Sequence, residues 1–374
     1  MTRPIASRAI ALTLAVLVVG LGPGQAQEAE APVFEVDPFW PRPLPNDWAF
    51  GQFAGVAVDS RDHVWILQRP DSLSDDEMFL TTDPPTAECC RPAPPVMEFD
   101  QDGEFIQAWG GPGTGYDWPD SEHGIHVDAA GNVWIGGNGP EDTHILKFTR
   151  TGAFVLQIGS KGTTAGSNDT KNLNRPSQVQ VNPRTDEVFV ADGYGNRRIV
   201  VFNATTGAYK RHWGAYGNLP DDEAPRPIVS DGPGPPQFNL LHGLAVAHDD
   251  TVYVADRVNN RIQAFQADGT FLREGFIARR TLGSGSTFGV DLSADPEQRF
   301  LYVPDGANNH IWILDRDTLR ILGRFGSQGR YAGQFYRAEA VAVDTMGNLY
   351  VAETEGKRVQ RFLFKGMSSA QPTP

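Results

Sequence analysis

The chain has 374 residues, a formal net charge of −14, 10% aromatic residues, 40 Gly, 28 Pro and 2 Cys. An acidic chain with no basic run lacks the Lys/Arg footprint that nucleic-acid phosphates require, and two cysteines exclude a disulfide scaffold or a Cys-rich zinc module. Abundant Gly and Pro among aromatic and β-branched residues describe short strands joined by tight turns, with enough apolar surface to exclude disorder.

The first segment reads as an address. Arg3 and Arg8 precede an apolar stretch from Ala9 to Leu21, followed by Gly22-Pro23-Gly24-Gln25-Ala26. A positive start, a short apolar middle and small residues at Gly24 and Ala26 mark a cleaved secretory leader over residues 1–26. The mature chain is therefore expected to be periplasmic or secreted. No other segment approaches the ~20 apolar residues that a spanning helix needs, so membrane insertion is not expected.

From residue 27 to residue 366 one unit recurs. It begins with Gly55-Val56-Ala57-Val58 and Val64-Trp65-Ile66, then Gly124-Ile125-His126-Val127 and Val133-Trp134-Ile135. Gln178-Val179-Gln180-Val181 with Val188-Phe189-Val190 is the third copy, and Gly243-Leu244-Ala245-Val246 with Val252-Tyr253-Val254 the fourth. Gly289-Val290-Asp291-Leu292 with Leu301-Tyr302-Val303 and Ala340-Val341-Ala342-Val343 with Leu349-Tyr350-Val351 complete the set. Each copy alternates at strand period and has room for four strands. Radial repetition of such units predicts an all-β fold, a single six-bladed β-propeller over 27–366. The sixth copy is one strand short, and Val33-Phe34-Glu35-Val36 is the expected N-terminal strand that closes the ring. Residues 367–374 are expected to form a disordered tail.

Propeller symmetry makes one position informative. The residue just before each innermost strand faces the channel mouth, and it reads Ala54, His123, Ser177, His242, Phe288 and Glu339 around the ring. The two His and the Glu fall in alternate blades, where they can converge on one point. Two imidazoles and a carboxylate suit zinc, or another divalent first-row metal, with an open position for catalysis. Arg69 ends the second strand of the first copy and can clamp a carboxylate; Tyr194 follows the second strand of the third and can handle a proton. The loops Pro70–Pro95 and Pro220–Pro236 are long enough to be functional. The first carries adjacent Cys89 and Cys90, either a vicinal disulfide or two thiols.

Val254-Ala255-Asp256-Arg257-Val258-Asn259-Asn260-Arg261-Ile262-Gln263-Ala264-Phe265 resembles the NHL repeat, and Val190 through Phe202 repeats it. Its Asp and Arg are expected to tie the turn between the second and third strands. From about Gly51 to Phe364 the chain is similar to the lyase domain of peptidyl-α-hydroxyglycine α-amidating lyase. Gly51 to Asp59 with Gln68-Arg69, Glu122-His123-Gly124-Ile125, Leu241-His242-Gly243-Leu244 and Asp192 to Val200 carry the resemblance.

The resemblance implies a zinc site at His123 and His242, a catalytic Arg69 and Tyr194, and cleavage of a C-terminal α-hydroxyglycine to an amide and glyoxylate. It also implies calcium held through the backbone of Val56 and Ile125. The family has His-Asp where this chain has Glu339-Ala340, which keeps a zinc ligand and removes the acidic side chain used near the calcium. A disulfide of animal members maps near Asn174 and Gly195, so both halves are absent together. The expected partner is a small anionic molecule or a peptide C-terminus, and the expected state a monomer. Two other readings remain open: a propeller that only binds a protein or cell-envelope partner, and a two-His-one-carboxylate iron site.

Overall fold

In the computed structural model the described residues are 1–2, 30–227 and 231–370. The expected leader lies outside them apart from its first two residues.

Six four-stranded antiparallel sheets follow one another along the described chain. Their innermost strands are Gln52–Val58, Glu122–Val127, Gln178–Asn182, Leu241–Val246, Asp291–Leu292 and Ala338–Val343. In three blades an Asp closes the first hairpin. The Asp128 carboxylate accepts the backbone N–H of Ala130 and Asn132 and the indole N–H of Trp134, at 3.0, 2.9 and 3.0 Å. Asp59 and Asp344 do the same with their own turns and with Trp65 and Tyr350. Such Asx turns satisfy the backbone where the chain reverses.

The core is divided. Six apolar clusters lie between consecutive blades, as where Trp65 and Leu67 of the first blade meet Ile125 and Ile135 of the second. A strand that is apolar on both faces, such as Val252–Asp256, is what a sheet packed between two neighbours requires.

The N-terminal strand Glu30–Asp37 closes the ring by pairing antiparallel with the last strand, Arg358–Ser369, with Phe34 opposite Phe364 and Val36 opposite Phe362. This corrects the expected tail at its start. Met367, Ser368 and Ser369 are strand, because Pro32, Ala31 and Glu30 give them a backbone partner.

The acidic residue and Arg of the repeat are structural, and they do more than tie a turn. Arg198 pairs with Asp192 at 2.9 Å and Arg261 with Asp256 at 2.8 Å, all four side chains being fully buried. Glu353 and Arg358 form the sixth-blade version at 2.6 Å. Each carboxylate also caps the segment arriving from the previous blade, at Asn174 N, Asn239 N and Tyr336 N. Each Arg binds carbonyls of that same segment, Asn172, Pro235 and Gln334 among them. The pair therefore fixes the course of the chain into each innermost strand, and with it the channel mouth.

Candidate metal centre

Four of the six ring residues lie at irregularities in the innermost strands, while Ser177 and Phe288 precede theirs. Pairing with the second strand slips between Phe53 and Gly55, His123 and Ile125, Leu241 and Gly243, and Ala338 and Ala340. A bulge turns a side chain away from the face it would otherwise take. It brings Ala54, His242 and Glu339 to the channel from within the strand, one difference from the sequence expectation; His123 is likewise a strand residue. In the second blade Gly124 takes φ +70°, and a Cβ there would lie 2.4 Å from the carbonyl O of Ser177.

That carbonyl matters, because it accepts the His123 Nδ1–H at 2.7 Å. His242 Nδ1 is held in the same way by the carbonyl of Phe288. Ser177 and Phe288 are themselves ring residues of the third and fifth blades. Blades two and four thus supply the imidazoles, and blades three and five the carbonyls that orient them. With Nδ1 donating, each Nε2 presents a lone pair to the channel.

His123, His242 and Glu339 are all buried, and their ligand atoms lie within 4.8 Å of one another. Glu339 Oε1 is 3.4 Å from His123 Nε2 and 3.2 Å from His242 Nε2. The Tyr194 hydroxyl is 3.1 Å from the first Nε2 and 3.0 Å from the second. Burial pulls the His123 imidazole down to about 4 and lowers His242 as well, so both are neutral at pH 7. Burial pushes the Glu339 carboxyl up, but its contacts with His123 and His242 and the charge of Arg257 outweigh this and hold it well below the usual range. Burial, and then Glu339, raise the Tyr194 phenol.

Three electron-pair donors therefore face one point with a single hydroxyl proton between them. Glu339 Oε2 is buried without a hydrogen-bond partner. Buried polar atoms are normally satisfied, and a divalent cation with nitrogen and oxygen ligands satisfies all three groups. The donor set fits a metal.

The other cluster of this kind among the described residues, Asp59, His63 and Glu98, is already neutralised. Arg61 pairs with Asp59 and Glu98, and Arg150 with Glu98.

Arg69 stands beside this centre without touching it. Its Nε donates to the Glu122 carbonyl, next to His123, at 2.9 Å, and its Nη2 reaches Asn138 Oδ1 at 3.3 Å. Ser72 places it, donating its hydroxyl to the Arg69 carbonyl and accepting Gln52 N. The loop that follows is tied to the sixth blade by Lys357 and Glu77 and carries a Cys89–Cys90 disulfide, the first of the two expected alternatives. Val56 and Ile125 are buried in neighbouring innermost strands, where the side chains of Ala340 and Val341 offer no ligand. Two carbonyls fall short of the six to eight oxygens usual for calcium.

Three cationic residues at the mouth escaped the sequence reading. Arg257 Nη1 is 3.4 Å from the Tyr194 hydroxyl, and its guanidinium lies 3.8 Å from the Phe288 ring centre. Arg337 lies 5.4 Å from the same ring, and Arg175 5.7 Å from the Tyr194 ring. Stepping back two residues from the ring position would have found Arg175 and Arg337, which precede Ser177 and Glu339. The positions of the implied disulfide are adjacent as well, with Gly195 N donating to the Asn174 carbonyl at 3.0 Å.

The family model for the NHL repeat matches residues 238–265 and 335–362, the inner strands of the fourth and sixth blades. The chain is 32% identical to peptidylglycine alpha-amidating monooxygenase of Rattus norvegicus over 60% of its length, and spans 22% of that relative. It is 25% identical to the probable peptidyl-alpha-hydroxyglycine alpha-amidating lyase pgal-1 of Caenorhabditis elegans, over 83% of this chain and 81% of that one. NHL repeat-containing protein 3 of Mus musculus is 27% identical over 89% of this chain and 85% of its own. The described chain is a six-bladed propeller with two matched NHL repeats, and amidating enzymes are among its relatives.

Proposed function

We propose that this protein is an exported, zinc-dependent lyase that cleaves a C-terminal α-hydroxyglycine to an amide and glyoxylate at the propeller mouth. The observation that carries the reading is the convergence of His123, His242 and Glu339 on one point with the Tyr194 hydroxyl about 3 Å from both imidazoles. The similarity to amidating enzymes supports it.

His123, His242 and Glu339 would hold the metal, which when bound would polarise the substrate hydroxyl as a Lewis acid. Arg69 Nη1 donates no hydrogen bond among the described residues and would receive the substrate carboxylate. Its bonds to Glu122 and Asn138 fix the direction from which it does so. The reaction moves one proton, from the hydroxyl oxygen to the amide nitrogen, as the carbon–nitrogen bond breaks and the carbonyl of glyoxylate forms. Tyr194 is the hydroxyl placed to relay it.

Metal-loaded protein should release amide and glyoxylate in equal amounts from N-benzoyl-α-hydroxyglycine. Tyr194→Phe should lower kcat by roughly 10²- to 10⁴-fold, and Arg69→Ala should raise KM. Failure of the loaded protein to form glyoxylate overturns the lyase reading. The second reading, a propeller that only binds, is favoured by Ala340 in place of the acid that the resemblance implies.

A further inference from the structure

The arginines of the blades are mostly paired with carboxylates, and those of the mouth are not. Arg69, Arg175, Arg257 and Arg337 form no ion pair among the described residues, in a chain whose net charge is −14. Arg69 and Arg175 share Asn138 as acceptor, through its side chain and its carbonyl. Arg257 and Arg337 share the Phe288 ring, which lines the metal pocket.

The two pairs come from different parts of the ring. The first lies toward the second and third blades and the second toward the fourth, fifth and sixth. Arg337 is the most available of the four. Its side chain donates no hydrogen bond among the described residues, and its backbone is fixed. Arg337 N donates to Asn309 Oδ1 at 2.8 Å, its carbonyl accepts Thr354 N at 3.0 Å, and it takes φ +65°. The same left-handed backbone recurs at Arg175 and Leu240, two residues before the ring positions of the third and fourth blades, so the repeat itself fixes where the Arg337 side chain starts.

We infer that Arg257 and Arg337, stacked on Phe288, form a second anion subsite across the mouth from Arg69, so that the preferred ligand carries two anionic groups. Resting on the lyase reading, this makes the substrate a peptide end or small molecule with an acidic group besides the α-hydroxyglycine carboxylate. Arg337 is then a specificity-determining residue. Guanidinium groups receive carboxylates in bidentate geometry, and stacking on an aromatic face orients them without neutralising them.

The test needs no turnover. Zinc-loaded protein is titrated calorimetrically with the dicarboxylates from malonate to adipate and with the monocarboxylates of matching length. At least one dicarboxylate should bind about tenfold or more tightly than its monocarboxylate, as expected when the second carboxylate forms its own charge-assisted hydrogen bond. Arg337→Gln should bring that ratio close to one, and Arg337→Lys should keep part of it. A ratio near one in the wild type, or a ratio unaffected by Arg337→Gln, overturns the subsite. A preserved ratio in protein that forms no glyoxylate from N-benzoyl-α-hydroxyglycine leaves the subsite standing and removes only the lyase reading.

Discussion

Arg257 and Arg261 leave the same turn of the fourth blade and have opposite surroundings. Arg261 is fully buried, bonded to Asp256 at 2.8 Å and to the Pro235 carbonyl at 2.9 Å. Arg257 is also nearly buried, yet it meets an aromatic face, a phenol and one carbonyl. The first charge is spent on holding the entering chain in place. The second forms no ion pair among the described residues, though its charge helps hold the Glu339 carboxyl down, and on our proposal it also receives an anion from solution. Four residues of separation turn a repeat into a site.

Substitutions can break or sharpen that contrast. Asp256→Ala leaves the buried Arg261 with Glu274, at 3.2 Å, as its remaining carboxylate partner among the described residues and should cost about 3 kcal/mol in urea denaturation. The channel wall gives the next effect. Asp291, bonded there to the backbone N–H of Leu292 and Val343, is pushed up to about 7 by burial. The folded state holds that proton where the unfolded chain has lost it, so this contribution to stability is lost as pH rises from about 4 to about 7. Asp291→Asn should therefore stabilise the protein by on the order of 2 kcal/mol at pH 8, with little change near pH 4.

His126 carries the opposite sign. Burial brings it down to about 4, so its contribution is present at neutral pH and is lost as pH falls from 6.5 toward 4. His126→Gln should flatten the acid side of the stability profile of the metal-free protein. Arg257→Ala should cost only about 1 kcal/mol, the worth of its stacking on Phe288. Arg337→Gln should stay within about 0.5 kcal/mol. A loss at Arg257 as large as that at Asp256 would place it with the structural arginines.

The fold was legible because each blade repeats its alternation, as in Val133-Trp134-Ile135 and Val252-Tyr253-Val254, and repetition reports itself. The metal residues were legible for the same reason. A two-His-one-Glu pattern at symmetry-equivalent positions needs no distance information. The orienting carbonyls of Ser177 and Phe288 were hidden because backbone acceptors leave no mark on residue type. Arg175 and Arg337 were hidden because an Arg beside an innermost strand looks like any other until its lack of a carboxylate is seen. The end of the last strand was missed because Met367-Ser368-Ser369 is strand only by pairing with Glu30–Pro32.

The lyase reading depends on His123, His242 and Glu339 binding a catalytic metal. Elemental analysis of zinc-equilibrated, dialysed protein beside a His123→Ala/His242→Ala double variant tests this most directly. About one metal ion per chain is expected in the wild type and none in the variant. A wild type that retains no metal, or a double variant that retains as much, would contradict it.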